Sequence, residues 1–168
     1  FSTPFDHTAV EFLENLDVPA YKIASFENID LPLIRRVAST GKPLIISTGM
    51  ASFEEVDEAV ETARDAGCTE LILLKCTSAY PALPEHADLQ TIVELRSRYG
   101  CESGLSDHTL GVATSIAAVA LGATVIEKHV TMSRAHGGVD SAFSLEPNEL
   151  VDLVDQTAIA RKSVGRVH

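Results

Sequence analysis

The sequence predicts an α/β fold on a parallel sheet, a TIM-type (β/α)8 barrel of which about six of the eight β/α units are present. Three observations point there. Short apolar, β-rich stretches alternate with amphipathic helical ones along the 168 residues, as right-handed β/α crossovers require. The strand stretches are apolar along most of their length, as strands buried on both faces must be. Polar and titratable residues crowd their C-terminal ends, where β/α barrels keep their active sites.

Taken in order, Phe1 to Thr3 reads as the tail of a strand, and further strands are expected near Ala20–Ala24, Pro43–Ser47, Leu71–Lys75, Glu102–Ser106 and Thr124–His129. Helices are expected near His7–Leu16, Pro32–Ser39, Phe53–Ala66, Leu89–Tyr99, Val112–Leu121 and Pro147 to about Val164. The clearest start is Ser52-Phe53-Glu54-Glu55, a capping box that satisfies otherwise unpaired amides. Its helix places Phe53, Val56, Ala59, Val60 and Ala63 on one face and Glu54, Asp57, Glu58 and Glu61 toward water, and Gly67 follows its end. A closed barrel needs eight strands and typically ~250 residues. Six strand ends therefore lead to the expectation that part of a larger barrel is missing. An open doubly wound sheet is the alternative, but it more often shows a glycine-rich phosphate loop after its first strand, and none is found.

Composition narrows the function. A chain of this length, 45% hydrophobic with a mean hydropathy of +0.13, suits one folded domain. No apolar run approaches the ~20 residues of a membrane span, and no signal-type leader is visible, so a soluble, cytoplasmic protein is expected. A formal net charge of -11 without a basic run argues against nucleic acid or an anionic membrane as partner. The three cysteines, Cys68, Cys76 and Cys101, lack disulfide or zinc-site spacing and are read as reduced thiols.

The chemistry lies at the strand ends. In Gly104-Leu105-Ser106-Asp107-His108-Thr109, alternation puts Ser106 and His108 on one face and Asp107 on the other. In Val125-Ile126-Glu127-Lys128-His129, Glu127 and His129 share a face and Lys128 points away. On neighbouring strands ~4.8 Å apart, His108 and His129 reach one divalent ion and leave positions open for water and substrate. The other reading is two unrelated hydrogen-bonded histidines; His7, His86, His136 and His168 are read as solvated. Lys22 and Lys75 sit in apolar strands, where an ammonium needs an anion. Either they clamp a phosphate or carboxylate with Ser25, Ser47, Ser78 and Ser106, or they pair internally with Glu27 or Glu127. The turns Ser47-Thr48-Gly49-Met50 and His136-Gly137-Gly138-Val139-Asp140-Ser141 let backbone approach a ligand, because glycine tolerates positive φ and lacks a Cβ. Asp140 is read as orienting a substrate hydroxyl, holding a metal-bound water, or simply solvated.

Together these segments resemble the sialic acid synthase family, phosphoenolpyruvate-dependent synthases of nine-carbon acidic sugars. The resemblance runs through Phe1 to Asp6, Tyr21 to Ser25, Ser47 to Met50, Lys75 to Pro81, Gly104 to Thr109, Glu127 to His129 and Gly138 to Ser144. It implies that His108 and His129 bind a divalent metal (Mn, Mg or Co). It implies that Thr3, Lys22, Ser25, Ser47 and Ser106 match phosphoenolpyruvate-binding positions, and Ser78, from the strand-end clamp, is counted with them in the substrate-binding set. It places Glu27, Tyr80 and Asp140 on the sugar and metal-water side as catalytic candidates. Ser78 departs from the sialic acid branch, where asparagine is usual. The wording around Ile23 to Glu27, Lys75 to Tyr80 and Asp140 to Ser144 looks more like the pseudaminic acid synthase branch.

The implied partners are phosphoenolpyruvate and an N-acetylated sugar, either a 6-deoxy-diacetamido hexose or N-acetylmannosamine, with a homodimer as the assembly. Family members begin with two further strands, whose ends carry an essential glutamate and a lysine, and end with a small antifreeze-like domain that reaches into the partner subunit's site. Neither is found here, so the expectation is a fragment or truncated relative that alone binds weakly or catalyses nothing. A related seven- or eight-carbon keto-acid synthase and a non-catalytic binding or assembly module are the alternatives.

Overall fold

A computed structural model describes residues 1–166, so His168 lies outside the described residues. Five strands, β1 (Tyr21–Ile23), β2 (Leu44–Ser47), β3 (Leu71–Cys76), β4 (Glu102–Asp107) and β5 (Val125–Lys128), form one parallel sheet in sequential order, curled as an incomplete barrel. The helices are α1 (His7–Asn15), α2 (Leu31–Ala38), α3 (Phe53–Asp65), α4 (Gln90–Tyr99), α5 (Ala113–Ala120) and α6 (Pro147–Val164). The expected strand tail at Phe1 to Thr3 is a single parallel bridge from Ser2 to Tyr21, with Lys22 N donating to Ser2 O at 3.0 Å. Among the described residues, no helix is long and apolar enough to cross a membrane.

Local chemistry sets the helix ends. Asp6 caps α1 by accepting from Ala9 N at 2.7 Å, and Asp30 caps α2 through Leu33 N. The capping box of α3 is formed by Ser52 and Glu55. Gly100 ends α4 at φ +60°, a left-handed turn that a side chain would strain.

The main core lies between α1 to α4 and one face of the sheet. Tyr21, Ile23, Leu44, Ile46, Leu71 and Leu73 meet Val10, Leu33, Ile34, Val37, Val60, Ala63 and Leu95. Each large side chain fully buried there contributes about 1.5–3 kcal/mol. A second cluster, Ile92, Leu105, Ala118 and Ala123, continues it under α4 and α5. The sheet therefore has a helix side, apolar and closed, and an inner side. Gly104 is required in the inner layer. A Cβ there would stand 2.1 Å from Val125 O and 2.9 Å from Leu74 Cδ2.

Two expectations for α3 are corrected. Phe53 is exposed, because it opens the helix beyond the edge of the core, and the Arg98 guanidinium lies 5.2 Å from its ring centroid instead. Asp57 is not simply turned to water. It accepts from Arg98 at 3.0 and 2.5 Å and from the Tyr99 hydroxyl at 2.8 Å, pinning α3 to α4.

Candidate active site

Register decides which strand residues reach the inner face. Cys76, Ser106 and Glu127 stand level across β3, β4 and β5, one step from helix-side Leu105. Lys75 is level with Leu105 and so points to the helix side, where its Nζ donates to Cys76 O at 3.2 Å and Thr77 Oγ1 at 3.3 Å. Lys75 is thereby removed from the clamp, and it pairs with neither Glu27 nor Glu127. Lys22, between helix-side Tyr21 and Ile23, is the inner-face lysine and only 4% exposed. Ser2 pairs with Tyr21, which brings Thr3 level with Lys22.

On the inner face Lys22 Nζ lies 3.7 Å from Glu127 Oε2 and donates to Ile23 O at 3.0 Å. Ser106 Oγ donates to the other oxygen of Glu127 at 2.6 Å. Burial holds the Lys22 ammonium below its ordinary pKa, with the Glu127 charge opposing that pull. Beside this pair, Ser25 Oγ accepts from Gly49 N at 3.2 Å, and Asn28 donates to Ser47 O and Gly49 O at 3.3 Å each.

Gly49 serves by its missing side chain and not by positive φ. A Cβ there would stand 2.5 Å from Ser78 Oγ and 2.7 Å from Ser25 Oγ, while the left-handed residue of that turn is Met50 at φ +65°. In the second glycine turn Gly137 and Gly138 do take positive φ. Among the described residues, the buried side-chain polar atoms without a hydrogen-bond partner are Glu27 Oε2, Ser47 Oγ and Ser78 Oγ. Buried polar groups are normally satisfied, so these three atoms keep hydrogen-bonding capacity open to water or to a polar ligand.

His108 and His129 follow β4 and β5 directly, with ring centroids 5.2 Å apart. Tyr80, on the loop after β3, lies 4.3 Å from the His108 ring and 6.2 Å from that of His129, and Phe143 lies 5.1 Å from His129. His108 Nδ1 is 2.9 Å from Thr77 O and 3.9 Å from Cys76 Sγ, while His129 Nδ1 is 3.5 Å from Asp140 Oδ2. Burial lowers both imidazoles. For His108 the Cys76 sulfur and Thr77 carbonyl outweigh it and the net shift is upward; for His129 the neighbouring His108 adds to it and the net shift is downward.

The donor set fits a divalent metal in part. A carbonyl on one Nδ1 and a carboxylate near the other is the outer-shell pattern that leaves each Nε2 for coordination. Among the described residues no third His, Cys, Asp or Glu completes a ligand group, so water and substrate would fill the remaining positions. A hollow of about 550 Å3 at the opposite ends of β3 and β4, lined by Arg64, Cys68, Arg96 and Cys101, lies away from this chemistry. Its two guanidiniums are already bound to the carbonyls of Tyr99 and Gly122.

The site thus gathers Thr3, Lys22, Ser25, Ser47, Ser78, Ser106, Glu27, Tyr80, Asp140, His108 and His129 along the C-terminal rim and inner face. Asn28, Glu127 and Phe143 join it without having been given a site role from sequence. Glu127 carried a signal, since alternation sets it beside His129. Phe143 lies in one short 3-10 segment and Asn28 directly follows another, and neither segment has a usable period.

The chain is 44% identical to pseudaminic acid synthase of Helicobacter pylori over 163 residues, covering 95% of this chain and 48% of that protein. It is 40% identical to N,N'-diacetyllegionaminic acid synthase of Campylobacter jejuni, covering 98% of this chain and 50% of that one. The crystal structure of N-acetylneuraminic acid (sialic acid) synthetase from Leptospira borgpetersenii superposes with a TM-score of 0.95 at 38% identity, covering 99% of this chain and 58% of that chain. The chain spans about half the length of the curated relatives it matches. The family model for the NeuB family matches residues 1–168. With that match and these relatives, the chain belongs to the NeuB family.

Proposed function

We propose that the protein containing this chain condenses phosphoenolpyruvate with an N-acetylated hexose to a nine-carbon nonulosonic acid and phosphate. The observation that carries the reading is the set of buried, unpartnered atoms Glu27 Oε2, Ser47 Oγ and Ser78 Oγ, all at or just beyond the C-terminal ends of β1, β2 and β3. An anion with several acceptor oxygens satisfies the two hydroxyls and the lysine together. Ser25 and Thr3 extend the donor surface, Ser106 donates its one hydroxyl proton to Glu127 and so fixes that carboxylate, and the Lys22–Glu127 contact keeps the ammonium aimed inward before substrate arrives. Holding the anion and the acceptor side by side makes the carbon–carbon step effectively intramolecular.

In that step C3 of phosphoenolpyruvate bonds to the aldehyde carbon of the sugar, whose oxygen gains a proton. Water adds at C2 and phosphate leaves. His108 and His129 would hold a divalent ion, which would supply Lewis-acid polarisation of a carbonyl oxygen. Glu27, Tyr80 and Asp140 orient the sugar hydroxyls, and Asp140 also steadies the His129 ring. Ser78 and the identity to a pseudaminic acid synthase support a 6-deoxy-2,4-diacetamido hexose over N-acetylmannosamine as acceptor.

The test is phosphate release by the full-length protein with manganese, phosphoenolpyruvate and each acceptor in turn. Release is expected with the diacetamido sugar and is expected to vanish in His108→Ala and His129→Ala. No release with either acceptor would overturn the reading.

A further inference from the structure

We infer that the buried Asp107–Lys128 ion pair, on the helix side of the sheet, positions His108 and His129 and acts only through them. The inference rests on the reading of those histidines as metal ligands. Each charged residue directly precedes its histidine, and alternation sends the two to opposite faces. Asp107 and Lys128 are register partners, with side chains 1% and 3% exposed and 2.9 Å between Oδ2 and Nζ.

The pair is the centre of a closed network. Asp107 Oδ1 accepts from Thr109 N at 2.8 Å and Thr109 Oγ1 at 2.7 Å, and Oδ2 also accepts from Ser115 Oγ at 2.6 Å. Lys128 Nζ donates in addition to Thr109 O at 2.5 Å. His108 is thus held between two residues bound to each other, and both are tied to the residue that carries His129. Helix α5 is tied in through Ser115.

Two apolar side chains would stabilise this place at least as well, because desolvation offsets much of a buried pair's attraction. What charges add is registry. The β4–β5 ladder is four residue pairs long, and a one-residue slip would send a histidine to the helix side. Asp107 and Lys128 are positioning residues.

The test uses the full-length, metal-free protein and two readouts. One is the ring-to-ring NMR Overhauser contact between His108 and His129; the other is affinity for Co2+ by absorbance. Asp107→Asn and Lys128→Met are each expected to lose the contact and to weaken Co2+ about 10–100-fold. The neutral double variant Asp107→Leu/Lys128→Met is expected to melt cooperatively yet show both losses, which separates positioning from stability. Ser115→Ala, with one bond removed, should show a smaller loss of the same sign. A folded double variant with the wild-type contact and Co2+ affinity would overturn the inference. Failure of the wild type to bind Co2+ would instead sink the metal reading, and the ring contact in the variants would then decide the positioning role.

Discussion

The two faces of the sheet are built to opposite rules although they alternate residue by residue. On the helix side Ile23, Leu44, Ile46, Leu73 and Leu105 are almost wholly buried, and the polar side chains that reach it, among them Tyr21, Lys75, Asp107 and Lys128, find partners within the protein. On the inner side Ile45 and Ile72 keep partial exposure, and hydroxyls and a carboxylate oxygen are buried without partners. One face is saturated by the protein itself; beside the other, three buried polar atoms have no protein partner. Stability and recognition are thus separated by one step of strand periodicity.

The sharpest break in this contrast is a helix-side truncation. Leu73→Ala is expected to cost about 2–5 kcal/mol, read as a lowered midpoint in urea, with no comparable loss from Ile72→Ala next to it. Gly104→Ala drives a Cβ into Val125 O and is expected to cost about 1–3 kcal/mol and to push β4 from β5, visible as faster amide exchange at both strands. Ser47→Ala should reverse the sign. Removing a buried, unpaired hydroxyl leaves stability unchanged or raised by up to about 1 kcal/mol, while phosphoenolpyruvate affinity falls. Loss of stability in Ser47→Ala without loss of affinity would contradict the division between faces.

The smallest effect is a pH dependence on the helix side. The Glu14 carboxylate accepts from the Tyr21 hydroxyl at 2.6 Å and pairs with Lys42, and these contacts hold its pKa below the ordinary value. A depressed carboxylate stabilises the fold above its unfolded pKa, and that stability is lost as pH falls through the folded one. Glu14→Gln should therefore flatten the acid side of the stability curve and leave stability near neutrality little changed in slope, measured by thermal melts across pH 2–6.

Much of this was legible from residues alone, and the reason is periodicity. The strand and helix alternation, the α3 capping box and the opposite facing of Asp107 and His108 follow from backbone geometry that any sequence obeys. Where a residue lies outside a periodic element, or where two strands must be compared, sequence offers no ruler. Asn28 and Phe143 enter the site from short turns, and the exposure of Phe53 depends on how far the core extends beyond the start of α3.

The contrast between Lys22 and Lys75 draws the line. The sequence by itself determined that both lysines lie in apolar strands, that the chemistry collects at strand ends and that two histidines follow matching strands. Tertiary structure alone decided that Lys22 turns inward to Glu127 while Lys75 turns to the helices. Alternation orders residues within one strand, but only the register between strands, set by hydrogen bonding and by the helices packed behind the sheet, says which of the two faces each set occupies.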